Sequence, residues 1–321
     1  MLSMPHHSTA WQFHIYSEVD MTQHIKTILF FSSLFGAAAM AGGVQVQTQD
    51  FVGDGVFTAG IEGPAVDAQG HLYAVNFAEE GTIGVVDPHG NARLLLKLPE
   101  GSTGNGIRFG PDGVMYVADY TGHNILKIHP RTLQVAVYAH SAAMNQPNDI
   151  AIARDGTIYA SDPNWSDSTG NLWMIAPDGK VTLLEREMGT TNGIEVSADE
   201  QRVYVNESVQ RKVWQYDRDP KTGKLANKRL LIEFPDHGLD GMRSDSQGNL
   251  YIARYGAGVI AVVSPAGDLL HTISLKGEKP TNLAFGGEDG RRVYVTLQDR
   301  GAIETFTAPH PGREWALWRR D

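Results

Sequence analysis

The sequence predicts an all-β fold, a six-bladed β-propeller with four-stranded blades around a central metal-binding channel. Three observations predict the ring. A β-type run carrying a tyrosine recurs at Tyr73, Tyr116, Tyr159, Tyr204, Tyr251 and Tyr294, at spacings of 43, 43, 45, 47 and 43 residues. Turn-forming residues bracket every run, in a chain with 35 Gly and 15 Pro among 321 residues. The segments between turns are too short for helices of ordinary length. Four-stranded units of about 40–45 residues are propeller blades. A closed ring of six removes the exposed edges that an open solenoid would have to cap.

Taken in order, residues 1–20 read as a spurious leader. Residues 21–41 read as a signal peptide: Met21 and Lys26 precede the apolar run TILFFSSLFGAAAMA, which ends in small residues. That run is too short, and too rich in Ser, Gly and Ala, for a membrane span. The expectation is a single propeller domain over residues 42–321, periplasmic or secreted. Val44–Phe51 (VQVQTQDF) alternates like a strand and is placed to close the ring on the last blade. Trp315–Trp318 competes for that role. Each unit then runs through a turn (DAQG, GPDG, ARDG, SADE, DSQG, GEDG) and a tyrosine strand. The first five add a second turn (DPHG, HPRT, APDG, DRDPKTG, SPAG) and a third apolar stretch. Asp217 and Asp219, in DRDPKTG, lack the downstream Glu of a calcium loop and read as an ordinary turn.

Composition narrows the function. Hydrophobic residues are 41% and charged residues 20%, a globular balance. The net charge of −10 argues against a nucleic-acid partner. The absence of Cys removes thiolate metal sites, iron–sulfur clusters and a Cys nucleophile. G-x-S-x-G, H-E-x-x-H, P-loop and G-x-G-x-x-G motifs are missing, so serine hydrolases, zinc proteases and nucleotide-binding enzymes are poorly supported. A closed ring needs no partner for its edges, so a monomer is expected.

Aligned on the tyrosines, every unit carries an oxygen-bearing side chain eleven or twelve residues earlier: Glu62, Asn105, Asn148, Asn192, Asp240 and Asn282. These positions open the innermost strands, which surround a propeller's channel. Two readings stand. Asn and Asp here make turns that satisfy backbone N–H groups. Alternatively the ring binds a hard cation, with Glu62 and Asp240 balancing two positive charges. Calcium, magnesium or manganese suits such oxygens better than zinc or copper.

The segments IEGPAVDAQGHLY, QPNDIAIARDGTIYASDP, TNGIEVSAD and LDGMRSDSQGNLYIA resemble the senescence-marker-protein (regucalcin), gluconolactonase and luciferin-regenerating-enzyme family, from about Gly60 to Thr307. The resemblance implies a six-bladed propeller that hydrolyses lactones with one divalent cation, calcium first, with Mg, Mn or Zn as alternatives. It implies metal ligands at Glu62, Asn192 and Asp240, with Asp240 also the catalytic acid/base. Asn148 becomes a ligand or substrate contact. Asn105 completes the ring only by periodicity, as a substrate-binding candidate. The family often has an Arg shortly before the Asn148–Asp149 pair; Gln146 stands there, which puts a sugar-acid lactone in doubt.

Further substrate-binding candidates are His237, on the loop leading to Asp240, which either shares in proton transfer as a His does in related esterase propellers or is an ordinary loop residue near the mouth, and Asp162, which with Trp165 lines a pocket or makes a structural turn. Arg254 stands where other units carry Asn76, Asp119, Asp162 and Glu207, and reads as a carboxylate contact or an ion pair. The expected function is a metal-dependent lactonase acting on a small lactone. An arylesterase or phosphotriesterase on the same scaffold, or a non-catalytic binding propeller, is the alternative.

Overall fold

The computed structural model describes residues 46–318; the segments read as leader and signal peptide lie outside the described residues. Strand β1 (Gln49–Val52) precedes the first blade. Blade one is β2 (Phe57–Val66), β3 (Leu72–Phe77), β4 (Thr82–Val86) and β5 (Ala92–Lys97). Blade two is β6 (Gly104–Phe109), β7 (Met115–Asp119), β8 (Asn124–Ile128) and β9 (Val135–His140). Blade three is β10 (Ile150–Ile152), β11 (Ile158–Asn164), β12 (Thr169–Ile175) and β13 (Val181–Met188). Blade four is β14 (Thr191–Val196), β15 (Arg202–Glu207), β16 (Lys212–Arg218) and β17 (Leu225–Glu233). Blade five is β18 (Met242–Ser244), β19 (Leu250–Arg254), β20 (Val259–Val263) and β21 (Leu269–Ser274). Blade six is β22 (Pro280–Gly286), β23 (Arg292–Leu297) and β24 (Ala302–Thr307), and helix α1 (Arg313–Trp318) follows.

Each blade is a four-stranded antiparallel sheet in chain order, except the sixth, whose order is β1-β24-β23-β22. Gln49 pairs with Thr305 and Asp50 with Glu304. The amino-proximal strand therefore closes the ring. Trp315 and Trp318 are in α1 instead, because the chain turns away at Pro309–Gly312 before a fourth strand forms.

The turns follow from side-chain chemistry. Asp67 Oδ1 accepts from the backbone N–H of Gln69 and His71, both at 2.9 Å, and Asp245 Oδ1 does the same for Gln247 and Asn249. In blade four Glu200 takes the left-handed position, φ 64°, that Gly156 fills in blade three. Asp219 Oδ1 accepts from Lys221 N–H at 2.9 Å, an ordinary turn contact.

The recurrent tyrosine belongs to the seams between blades. Tyr73 meets Phe109 of blade two at 5.3 Å, and Tyr251 meets Phe285 of blade six at 5.1 Å and 88°. Tyr159 is buried among Ile194, Val196 and Val205 of blade four. Such edge-to-face pairs contribute about 0.5–1.5 kcal/mol each beyond their buried area. The repeating residue is thus the mortar that sets each blade against the next and fixes where the inner strands point.

Candidate metal and catalytic centre

The six ring residues stand at or just before the inner strands, where neighbouring blades approach most closely. The glycine after a ring residue makes room for the next blade. A Cβ on Gly63 would lie 1.9 Å from the Asn105 carbonyl oxygen, and one on Gly193 would lie 2.5 Å from that of Asp240. At these positions a side chain would meet the backbone of the next blade, which accounts for the Gly after Glu62 and Asn192; Asn148 and Asn282 are followed by Asp149 and Leu283, where the approach differs.

The ring splits into two kinds of residue. Buried oxygens Glu62 Oε1, Asn148 Oδ1 and Asn192 Oδ1 have no hydrogen-bond partner. In two of them the remaining polar atom is engaged. Glu62 Oε2 accepts from Gly63 N–H, and the Asn192 side chain donates to Asp240. Asn282 is spent on its neighbours: its Oδ1 accepts from Leu283 N–H at 2.9 Å and its Nδ2 faces Asp149 Oδ2 at 3.3 Å. Asn105 Nδ2 donates to the Asn148 carbonyl at 3.0 Å, so Asn105 positions Asn148. A turn-forming role accounts for Asn282. It does not account for three stranded oxygens, each of which costs about 1–3 kcal/mol if nothing approaches it.

Electrostatics points the same way. Burial, and then the nearby Asp149 charge, pushes the Glu62 carboxyl up to about 8. Asp240 keeps some exposure, yet burial and then Glu62 hold its carboxyl well above the ordinary range. Two carboxylates that cannot both ionise comfortably, beside unpaired amide oxygens, fit a hard divalent cation. Among the described residues no three His, Asp or Glu side chains gather as a metal site, so the amides are needed to complete this one.

Below the ring lies a layer that the sequence reading missed. Arg108 is fully buried: its Nη2 donates to the Ile194 carbonyl at 3.3 Å and lies 3.4 Å from Glu195, and its Nη1 is 3.7 Å from Asp149. Arg243 Nη1 donates to Asp149 at 3.1 Å. Burial first, offset by Arg108, leaves Asp149 raised to about 6. A signal existed. Three residues after the ring, the units carry Ala65, Arg108, Ala151, Glu195, Arg243 and Phe285, and charges at three equivalent positions of inner strands are not turn chemistry.

Asp162 and Arg254 belong to a different set. Asp162 accepts from the backbone N–H of Asn145 and Gln146, both at 2.7 Å, and from Trp173 Nε1 at 2.8 Å. Arg254 Nη2 donates to the Asp236 carbonyl at 2.6 Å and its guanidinium lies 3.9 Å from the Phe234 ring centre. Asn76 grips the Gly60 carbonyl, Asp119 the Thr103 N–H and Glu207 the Gly189 N–H. In the first five blades, the end of the second strand thus clamps backbone two to four residues before the ring. The clamp is an acceptor in blades two, three and four; in blades one and five the backbone presents a carbonyl, and the Asn76 amide and the Arg254 guanidinium donate to it. His237 is exposed on that loop, at a φ of 45°, three residues before Asp240. Trp165 is 39% exposed on the β11–β12 turn. A separate cavity of about 450 Å³, lined by Val66, Tyr73, Phe109 and Met115 among others, contains none of the ring residues.

The profile of the SMP-30/gluconolactonase/LRE-like region matches residues 58–299. A gluconolactonase of Zymomonas mobilis is 30% identical over 215 residues, 60% of each chain. A pentonolactonase of Haloferax volcanii is 32% identical over 151 residues, 46% of this chain and 52% of that one. The chain therefore spans about half to three fifths of the length of these curated relatives. The crystal structure of a calcium-binding protein, regucalcin, from Agrobacterium tumefaciens superposes with a TM-score of 0.72 at 20% identity, over 86% of this chain and 98% of that one.

Proposed function

The chain belongs to the SMP-30/gluconolactonase/LRE-like family, and from that premise we propose that it is a metal-dependent lactonase opening a small lactone to its hydroxy acid. The observation that carries the proposal is the set of three buried, unpartnered oxygens on Glu62, Asn148 and Asn192, beside Asp240. Gluconolactonase and pentonolactonase relatives support the substrate class, and a calcium-binding structural relative supports the ion.

Glu62, Asn148, Asn192 and Asp240 would hold the cation. When bound, it supplies Lewis-acid polarisation of the lactone carbonyl and compensates the charge of the tetrahedral intermediate. Asp240 does the proton work. Its partial exposure lets it meet a water at the mouth, take the proton as that water's oxygen joins the carbonyl carbon, and return it to the ring oxygen as the C–O bond breaks. Asn105 keeps the Asn148 backbone in register, and the clamps fix the approach to each inner strand. The run before Ala41 supports export to the periplasm or medium, where calcium is available to a weak site.

The test is hydrolysis of a lactone panel by residues 42–321, with calcium and with EDTA. The proposal expects turnover that EDTA abolishes and calcium restores. Asp240→Asn should lower kcat about 10²–10⁴-fold while leaving the fold intact, the range for a lost general base. Faster turnover of aryl esters or phosphotriesters would replace the substrate class. No turnover and no bound metal would leave a binding propeller.

A further inference from the structure

After β24 the chain does not stop at the rim. Residues 308–318 lie beyond the segment matched by the family profile. Two backbone hydrogen bonds guide the crossing: Gly312 N–H donates to the Gly290 carbonyl at 2.9 Å, and Ser246 N–H donates to the Pro311 carbonyl at 2.8 Å. These contacts deliver α1 to the end of the channel opposite the ring. There Arg313 is buried. Its Nε donates to the Ser197 carbonyl at 3.2 Å, its Nη2 donates to the Ile152 carbonyl at 3.2 Å and to Glu200, and its Nη1 lies 3.5 Å from Glu195. The next residue, Glu314, places Oε1 2.7 Å from Arg108 Nε.

Arg108 is the part of this assembly that reaches toward the ring. It holds the Ile194 carbonyl, two residues past Asn192, and faces Asp149, the residue after Asn148. One guanidinium thus meets the backbone two residues past Asn192 and the side chain next to Asn148. It shares its charge among Asp149, Glu195 and Glu314. Glu314 is the member of that set supplied from outside the ring.

We propose that Glu314 is a positioning residue for the cation site, which it serves by orienting Arg108 and offsetting its charge beneath Asn148 and Asn192. This rests on the cation reading of the ring. The ion pair with Glu314 anchors Arg108 from the α1 side, and the field of the guanidinium at the ring is compensated. Without it, an under-compensated positive charge stands beneath a site that must accept a cation, and the guanidinium is free to lean on Asp149 and shift Asn148. Both effects weaken cation binding.

The experiment is calorimetric titration of calcium into the metal-free full chain at fixed pH and ionic strength, with thermal unfolding recorded beside it. Glu314→Gln keeps the shape and removes the charge; the calcium Kd should rise about 3–10-fold, below the 10–100-fold typical of partners that touch a ligand directly. Glu314→Ala tests the same expectation should the Gln variant not fold. Glu314→Asp keeps the charge and should restore most of the affinity. Leu317→Ala in the same helix removes a buried side chain that carries no charge; it should lower the Tm and leave the Kd unchanged. A Glu314→Gln chain that binds calcium within about twofold of wild type overturns the inference, whatever its Tm. A wild-type chain that takes up no calcium overturns the cation reading itself, and this inference with it.

Discussion

The channel has two layers built from the same kinds of side chain and treated in opposite ways. In the lower layer Arg108, Arg243 and Arg313 each meet at least one carboxylate, and Glu195 and Asp149 each face an arginine. In the upper ring Glu62 raises Asp240 and three buried oxygens accept no hydrogen bond; Arg108 Nε and Nη1 and Arg243 Nε in the lower layer also lack a hydrogen-bond partner, but there each guanidinium lies against a carboxylate of opposite charge. The fold can pair buried charge when pairing is the purpose, and it does so a few residues below the ring. The unpaired ring is therefore a place where the protein withholds a partner, and an external cation is the partner that fits the donors left over. The lower layer sets each charge against an opposite one; the upper ring offers oxygens that the proposed cation would complete.

The sharpest way to break this comparison is to remove one charge from each layer. Arg108→Met leaves Asp149 and Glu195 buried with less compensation. It should destabilise the fold by about 3–5 kcal/mol, measured by denaturant unfolding. Glu62→Gln should do the reverse in the metal-free chain, leaving stability equal or higher because a buried carboxyl that folding forces to keep its proton gives way to a neutral amide, while abolishing calcium uptake. Equal losses from both variants would mean that the ring is internally satisfied and that the two layers do not differ.

The next effect is a pH dependence of opposite sign to the usual carboxylate case. Glu62 titrates near 4.5 in its ordinary setting and near 8 in the metal-free fold. Between those values the native chain keeps a proton that the unfolded chain has released, so the contribution of Glu62 to stability is greatest below about 4.5 and is lost as pH rises toward 8. Calcium replaces that proton. At one fixed calcium concentration the rise in Tm should therefore be larger at pH 8 than at pH 6, because Kd falls as the competing proton leaves; a concentration a hundredfold above Kd corresponds to about 2.7 kcal/mol of stabilisation. Calcium stabilisation that does not change across this window would separate the cation from Glu62.

Much of the fold was legible because it is repeated. A tyrosine at nearly constant spacing marks the seams, and the Asx turns mark the hairpins, so each unit supports the reading of the others. The closure was not legible: Val44–Phe51 and Trp315–Trp318 are both plausible edge segments, and the strand that forms is Gln49–Val52. Only the turn at Pro309–Gly312, and the hydrogen bonds that seat α1 across the channel, decide between them. In the site, the position of the ring residues was legible from the same periodicity, but their inequality was not. Asn282 and Asn192 look alike in sequence and differ only in what their neighbours donate to them. The arginine layer was missed because Arg108 and Arg243 sit in apolar inner strands, where a charge makes sense only once Asp149 and Glu195 are seen across the channel from other blades.

The smallest effect concerns Asp162, whose two readings diverge in what they predict. As a clamp it accepts from Asn145 N–H, Gln146 N–H and Trp173 Nε1 while wholly buried. Asp162→Asn keeps the volume but turns part of the acceptor into a donor that faces other donors. The cost should be about 1–3 kcal/mol, seen as a lower Tm. Because the clamped peptide leads straight to Asn148, a few-fold rise in KM or in calcium Kd should follow, with kcat nearly unchanged. A substrate contact would behave otherwise. It would lose kcat/KM by about a hundredfold at an unchanged Tm, since no backbone would be released. Arg254→Lys offers the matching measurement in blade five. Lysine can still donate to the Asp236 carbonyl but gives up the planar stack on Phe234, so a modest fall in Tm with kcat preserved would place it with the clamps. A large loss of kcat/KM with Tm intact would move either residue from holding the loop to holding the substrate.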